Sequence, residues 1–215
     1  MPPALIFVLA LVLFMAVALV FIWRNERART EALKQVAEAA GWLFQPDGDL
    51  AALRALGGVQ LFDRGHSRRV TNLMTGRAGD DHLAVFDYQY TTGSGKNKNT
   101  TSQTVVLLPS AKPALPDLQM APENPLSRLA EAFGFQDIDI DSSPEFSRRY
   151  LVRGADEAAI RAALYPRATS YFADHQGWTI EVRSGSVAVY RASRRAKAED
   201  LRAFVEEVRA VVRNL

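Results

Sequence analysis

The sequence predicts an α+β protein: an N-terminal transmembrane helix, then a mainly antiparallel sheet domain with helices packed on it, in one lobe or two. Three observations carry this. The chain begins with a long uncharged apolar stretch, Ala4 to Trp23. Three runs rich in Val, Thr, Tyr and Phe follow in its middle, separated by Gly-containing turns. Strand and helix patterns do not alternate strictly, which disfavours a parallel, doubly wound sheet.

The first stretch, ALIFVLALVLFMAVALVFIW, carries no charge, no Gly and no internal Pro. At ~1.5 Å per residue, a helix of this length spans a hydrocarbon core of ~30 Å. A cleaved signal would show a basic start, a shorter apolar run and a small-residue cleavage site. Nothing basic precedes this run, and it ends in Phe21, Ile22, Trp23 and Arg24, so a retained anchor is expected. Arg24, Arg27, Arg29 and Lys34 follow closely and favour the cytoplasmic side for the remainder, with the amino terminus outside. Trp23, Arg24, Arg27 and Arg29 are accordingly the expected interface residues, in contact with membrane lipid.

Composition bounds the rest. The 215 residues leave enough chain after the span for one sizeable domain or two small lobes. With no cysteine, disulfides, thiol catalysis and cysteine-ligated metals are excluded. The 26 basic and 24 acidic side chains nearly balance, and no one-signed stripe of the kind nucleic acid requires is present.

A juxtamembrane helix is expected over 24–40, because Leu33, Val36, Ala37 and Ala40 recur at helical spacing and Gly41 is a stop signal. A first lobe over 41–108 opens with Trp42-Leu43-Phe44 as a short buried strand. Asp49 caps a helix over Leu50 to Leu56, with Leu50, Leu53 and Leu56 on one stripe. Ser67–Thr75, His82–Thr92 and Thr100–Leu108 then form a meander with loops at Gly76–Asp81 and Gly93–Asn99. In it Phe86, Tyr88 and Tyr90 share one face.

Five of the ten prolines crowd the stretch 109–125, which reads as an extended connector. The second lobe, 126–215, starts with a helix from Asn124-Pro125 to Phe133, followed by strands over Phe135–Asp141 and Glu145–Arg153. A helix capped near Asp156 runs to Leu164 and another covers Arg167–His175. A hairpin of Trp178–Arg183 and Ser186–Ala192 turns at Ser184-Gly185. The last helix carries Leu201, Phe204, Val205, Val208, Val211 and Leu215 on one stripe. The helical segments 49–56 and 157–164 echo one another weakly, as Ala-rich helices often do.

No catalytic motif assembles from these pieces. Gly93-Ser94-Gly95-Lys96 lacks the earlier glycine, the Ser or Thr and the following helix of a phosphate loop. It reads instead as a hairpin tip whose Lys96 and Lys98 offer an anion contact. Asp137, Asp139, Asp141 and Glu145 are the candidate metal ligands. However, the sixth and twelfth places of an EF-hand frame hold Ser142 and Arg148. In a strand, aspartates on one face stand ~7 Å apart, with Ile138 and Ile140 buried beneath. His66, His82 and His175 form no zincin frame, and no Gly-x-Ser-x-Gly elbow occurs. Arg191, Arg194, Arg195 and Lys197 precede the last helix, diluted by Glu199 and Asp200. No cofactor and no small-molecule substrate are indicated.

Gly41-Trp42 after a charged helix, Phe86-Asp87-Tyr88-x-Tyr90, Leu107-Leu108-Pro109, and Asp137-Ile138-Asp139 before Glu145-Phe146 and Tyr150 occur in that order. This order resembles a group of bacterial single-span membrane-anchored proteins, a domain of unknown function. The resemblance covers most of the part after the span. It implies a bacterial source and hence the inner membrane, and brings no catalytic residues with it.

Three readings follow. The leading one, not an enzyme, is a single-span membrane protein presenting a cytoplasmic α+β module to a protein partner. The second is a divalent-metal-dependent hydrolase or transferase using the Asp137–Glu145 carboxylates. The third is an anionic-lipid or envelope-sensing module using Arg24, Arg27, Arg29, Lys96 and Lys98.

Overall fold

An eight-stranded antiparallel sheet separates two apolar cores in this computed structural model, which describes residues 3–112, 114–123, 138–140, 143–164 and 166–215. A long N-terminal helix, α1 (Pro3–Ala40), leads into it. Its outer half has an 18-residue window of mean hydropathy 2.6 with no residue buried, which makes α1 a candidate membrane-spanning helix. Its inner half buries Leu33 and Ala37 against the sheet. Gly41 ends it in the left-handed conformation (φ +71°), and the Trp42 and Gly41 amides return to Ala37 and Glu38 in a Schellman motif.

The strands are β1 (Leu43–Asp47), β2 (His66–Ala78), β3 (Asp81–Thr92), β4 (Asn99–Leu108), β5 (Leu118–Pro122), β6 (Tyr150–Arg153), β7 (Thr179–Arg183) and β8 (Ser186–Tyr190). Their order across the sheet is β1-β2-β3-β4-β8-β7-β5-β6. The meander and the C-terminal hairpin thus meet at β4–β8, where Val106 sits opposite Val189, and residues 41–108 and 138–215 share one sheet. The Pro-rich stretch supplies β5, wedged between β6 and β7. Proline removes amide donors, but Leu118 to Ala121 lie between Pro116 and Pro122 and keep theirs.

Alternation along the strands sorts the two cores. Val85, Val106, Ile180 and Val189 face one way, under α1 and three helices: α4 (Glu157–Ala163), α5 (Pro166–Asp174) and α6 (Leu201–Arg213). In α6, Leu201, Val205, Val208 and Val211 are fully buried, each worth about 1.5–3 kcal/mol of transfer free energy. Phe86, Tyr88, Tyr90, Val105 and Tyr190 face the other way, under α2 (Leu50–Leu56) and a short 3₁₀ turn at Gln60–Asp63. Asp49 and Asp156 cap α2 and α4 through the Ala51 and Ala159 amides, and the two echoing helices lie on opposite faces.

Several expectations are corrected. The strand after Gly41 runs Leu43–Asp47 and is an edge: Trp42 is buried ahead of it, but Leu43 is 73% exposed. Residues 144–147 form a short helix, α3 (Pro144–Ser147), because Pro144 at its first position presets a helical φ; the strand begins only at Tyr150. β2 runs to Ala78, so the first meander loop is a tight turn at Gly79-Asp80. Residues 138–140 carry no strand pairing beyond the Ile138 amide on the Val152 carbonyl, with Ile138 and Ile140 buried. The helix expected from Asn124-Pro125 to Phe133, and most of the strand expected over Phe135–Asp141, lie outside the described residues.

Candidate functional site

The polar centre that matters most for this architecture lies where α1 leaves the candidate span and meets the sheet. Arg29, Leu33 and Ala37 recur every four residues, so all three lie on the helix face turned to the sheet. Arg29 donates from Nε to Asp87 Oδ2 at 2.8 Å and from Nη2 to Oδ1 at 2.9 Å. Asp87 is 5% exposed, and also accepts from Asn72 Nδ2 (3.0 Å) and Thr104 Oγ1 (2.7 Å). Four donors for two oxygens satisfy the carboxylate. Asn72 is held at φ +52° in a β-bulge of β2, which turns its amide toward Asp87.

One turn outward on α1, Glu26 takes two bonds from Arg195, at 2.7 and 2.6 Å. These bonds and the Arg195 charge outweigh desolvation and hold the Glu26 carboxyl below its usual value. Behind this pair lies an open cavity of about 430 Å³ between helix and sheet, lined among others by Ile22, Glu26, Asp47, Arg69, Gln89 and Ser102. The helix therefore meets the domain through two ion pairs and an apolar stripe.

A second buried centre sits on the opposite face of the sheet. Glu181, 2% exposed, accepts from the Leu61 amide (2.7 Å), Arg64 Nη2 (2.9 Å), the Tyr190 hydroxyl (2.8 Å) and Gln119 Nε2 (3.3 Å). Burial pushes the Tyr190 hydroxyl well above its usual pKa, so it stays protonated and donates. The saturated Glu181 carboxylate ties the 3₁₀ turn to β7 and β8. A cavity of about 190 Å³, lined by Gln60, Asp117, Arg153 and Glu181 among others, adjoins it.

The residues singled out from sequence are dispersed. Trp23 is 59% exposed, Arg24 and Arg27 are exposed, and the Arg27 guanidinium lies over the Trp23 ring at 5.0 Å. Arg29, grouped with them as an interface residue, is turned into the sheet. Lys96 and Lys98 are exposed at the β3–β4 tip. Asp139 is exposed, Glu145 pairs with Arg149 at 2.6 Å, and Asp137 and Asp141 lie outside the described residues. Among the described residues, no three His, Asp or Glu side chains group as metal ligands. Sequence motifs give Asp87 and Glu181 no role as site residues. The signal was a lone carboxylate inside each apolar strand, Phe86-Asp87-Tyr88 and Ile180-Glu181-Val182.

Fold and site together define an α+β module fused in one helix to a candidate membrane span. No protein-family model matches this chain, and no curated protein sequence does. Among solved structures it is similar to the crystal structure of the mycobacterial trehalose monomycolate transport factor A, TtfA, with a TM-score of 0.60 at 12% identity. The match covers 87% of this chain and 92% of that one, and at this identity it shows a shared fold.

Proposed function

We propose that this protein is a single-span scaffold of the bacterial inner membrane, amino terminus outside, which holds its α+β module on the cytoplasmic side against a protein partner. The observation that carries the reading is the continuity of α1. One uninterrupted helix runs from the exposed apolar residues to Leu33 and Ala37 in the core, and the Arg29–Asp87 and Glu26–Arg195 pairs fix its rotation. A module so held keeps one height and one bearing over the bilayer, which suits work on a membrane-embedded neighbour. Arg24 and Arg27, exposed just past the span, support the orientation. The chain also shares its fold with a protein named as a transport factor.

The test is photo-crosslinking of the full chain in native membranes, with the crosslinker at Leu43 or Leu56, both exposed on the module, or at Phe14 on the span. A discrete adduct with one membrane protein is expected. Adducts to lipid alone, or none from all three positions, would overturn the proposal.

A further inference from the structure

The course of α1 along β3 fixes which end of the sheet lies nearest the span. Near its inner end, Trp42 donates to the Arg77 carbonyl, at the start of the β2–β3 hairpin turn. Further out, Arg29 meets Asp87 and Thr104. Further still, Ile22 and Glu26 share a cavity with Gln89, Ser102 and Arg69. Each step outward along α1 is thus a step toward the far end of β3.

From Arg29 to Trp23 the helix rises roughly 9 Å. From Asp87 to Thr92 the strand advances roughly 17 Å, and the tip at Gly93–Lys98 lies beyond that. The β3–β4 tip therefore extends at least as far outward as Trp23, where the span ends, and about 8 Å further where strand and helix run parallel.

Charge at that level is one-sided. Glu26 is taken by Arg195 and Asp47 by Arg69. Arg24, Lys96 and Lys98 are exposed and make no ion pair among the described residues, and Arg27 only covers Trp23. The tip sequence Gly93-Ser94-Gly95-Lys96-Asn97-Lys98 has no apolar side chain to insert into hydrocarbon.

We propose that the β3–β4 hairpin seats on anionic lipid headgroups of the bilayer that holds α1, with Lys96 and Lys98 at one contact and Arg24 and Arg27 at the other. The inference shares with the scaffold reading only the insertion of α1, and does not depend on a protein partner. Two contacts fix the tilt of the module as well as its height. Exposed charges of this kind lose their attraction over a Debye length, ~8 Å at physiological salt, so the seat weakens with ionic strength.

The absence of cysteine makes the test direct. Ser94→Cys at the tip and Asp80→Cys at the opposite turn each receive a fluorophore in the full chain. The protein is then placed in nanodiscs of phosphatidylglycerol with phosphatidylcholine, or of phosphatidylcholine alone, each carrying a headgroup-attached spin quencher. Quenching is expected at Ser94→Cys and not at Asp80→Cys, in the anionic discs. It should fall about twofold or more in neutral discs, at high salt, or with Lys96→Gln and Lys98→Gln combined. No quenching at Ser94→Cys, equal quenching at Asp80→Cys, or quenching indifferent to lipid charge or to the lysine pair would each overturn it. A loss of crosslinked partner with the quenching intact would instead count against the scaffold reading alone.

Discussion

Arg29 on the N-terminal helix and Asp87 on β3 stand 58 positions apart, and their side chains meet through two hydrogen bonds of 2.8 and 2.9 Å. Both are largely withdrawn from water, at 15% and 6% side-chain exposure. A buried pair repays its desolvation only when the geometry is good and the remaining lone pairs are satisfied, as Asn72 and Thr104 satisfy them here. The pair makes the rotation of α1 about its own axis specific: turned by one residue, Arg29 loses Asp87 and Leu33 loses the core.

Removing one partner strands the other. Asp87→Ala is expected to lower stability by about 3–5 kcal/mol, since Arg29 keeps a largely buried charge without the carboxylate it is hydrogen-bonded to. Urea unfolding of the full chain in micelles measures this. The Arg29→Met, Asp87→Ala double variant should cost clearly less than the two single losses added together. Strict additivity would show that the pair does not couple helix to sheet.

The outer pair gives a pH dependence of known sign. Glu26 titrates below its ordinary value of 4.5 when folded, chiefly because Arg195 hydrogen-bonds its charged form. The folded state thus binds this proton less readily than the unfolded chain does. Its stabilisation is complete above 4.5 and is lost as pH falls through the lower folded value. Glu26→Gln should therefore be less stable than the natural protein at pH 7, and the gap in urea midpoint should close on acidification below 4.5. A gap that stayed constant through acid would show that the Glu26 charge contributes nothing.

Local patterning made much of this fold legible. Gly41 stops α1, Asp49 and Asp156 cap their helices, and the valines of the last helix name their own buried face. Alternation also placed Phe86, Tyr88 and Tyr90 together, and Tyr88 does lie against Tyr90. Long-range pairing was not legible. Nothing in the stretch 109–125 says that Leu118 to Pro122 will slot between two strands formed much later in the chain. Arg29 shows the limit of reading a site from position along the chain. Its place after an apolar run suggests lipid, yet its four-residue spacing from Leu33 already put it on the core-facing stripe. Spacing carries the physics of a rigid helix, whereas nearness to the span is only proximity.

Gly76 is expected to tolerate no side chain. A Cβ there would collide with the Trp42 ring, which is 8% exposed and donates from Nε1 to the Arg77 carbonyl at 2.9 Å. Gly76→Ala forces Trp42 from this seat, just after the α1 terminus, at a cost of about 1–3 kcal/mol. A red shift of tryptophan emission should accompany the loss, and should be absent in a Trp42→Phe, Gly76→Ala pair. Unchanged emission and stability would mean that the ring does not pack on Gly76.

Tyr88 offers a change in the opposite direction. The residue is wholly buried, with Phe62 edge-on at 5.6 Å and Tyr90 at 6.0 Å. Its hydroxyl is buried too and finds no hydrogen-bond partner among the described residues. Folding therefore strips water from a polar group for which the described residues supply no replacement, an expense of about 1–3 kcal/mol. Tyr88→Phe keeps the ring and deletes that group, so the variant should be more stable by roughly 1 kcal/mol at pH 7. The same burial pushes the phenol pKa up from 10.0 to about 12. In alkali the unfolded chain then releases the proton first, and the natural protein loses stability as pH rises from 10 toward 12. The phenylalanine variant escapes that loss, so its advantage should widen over the same range. A variant less stable at neutral pH, or an advantage that does not grow in alkali, would show that the Tyr88 hydroxyl is engaged in the folded protein.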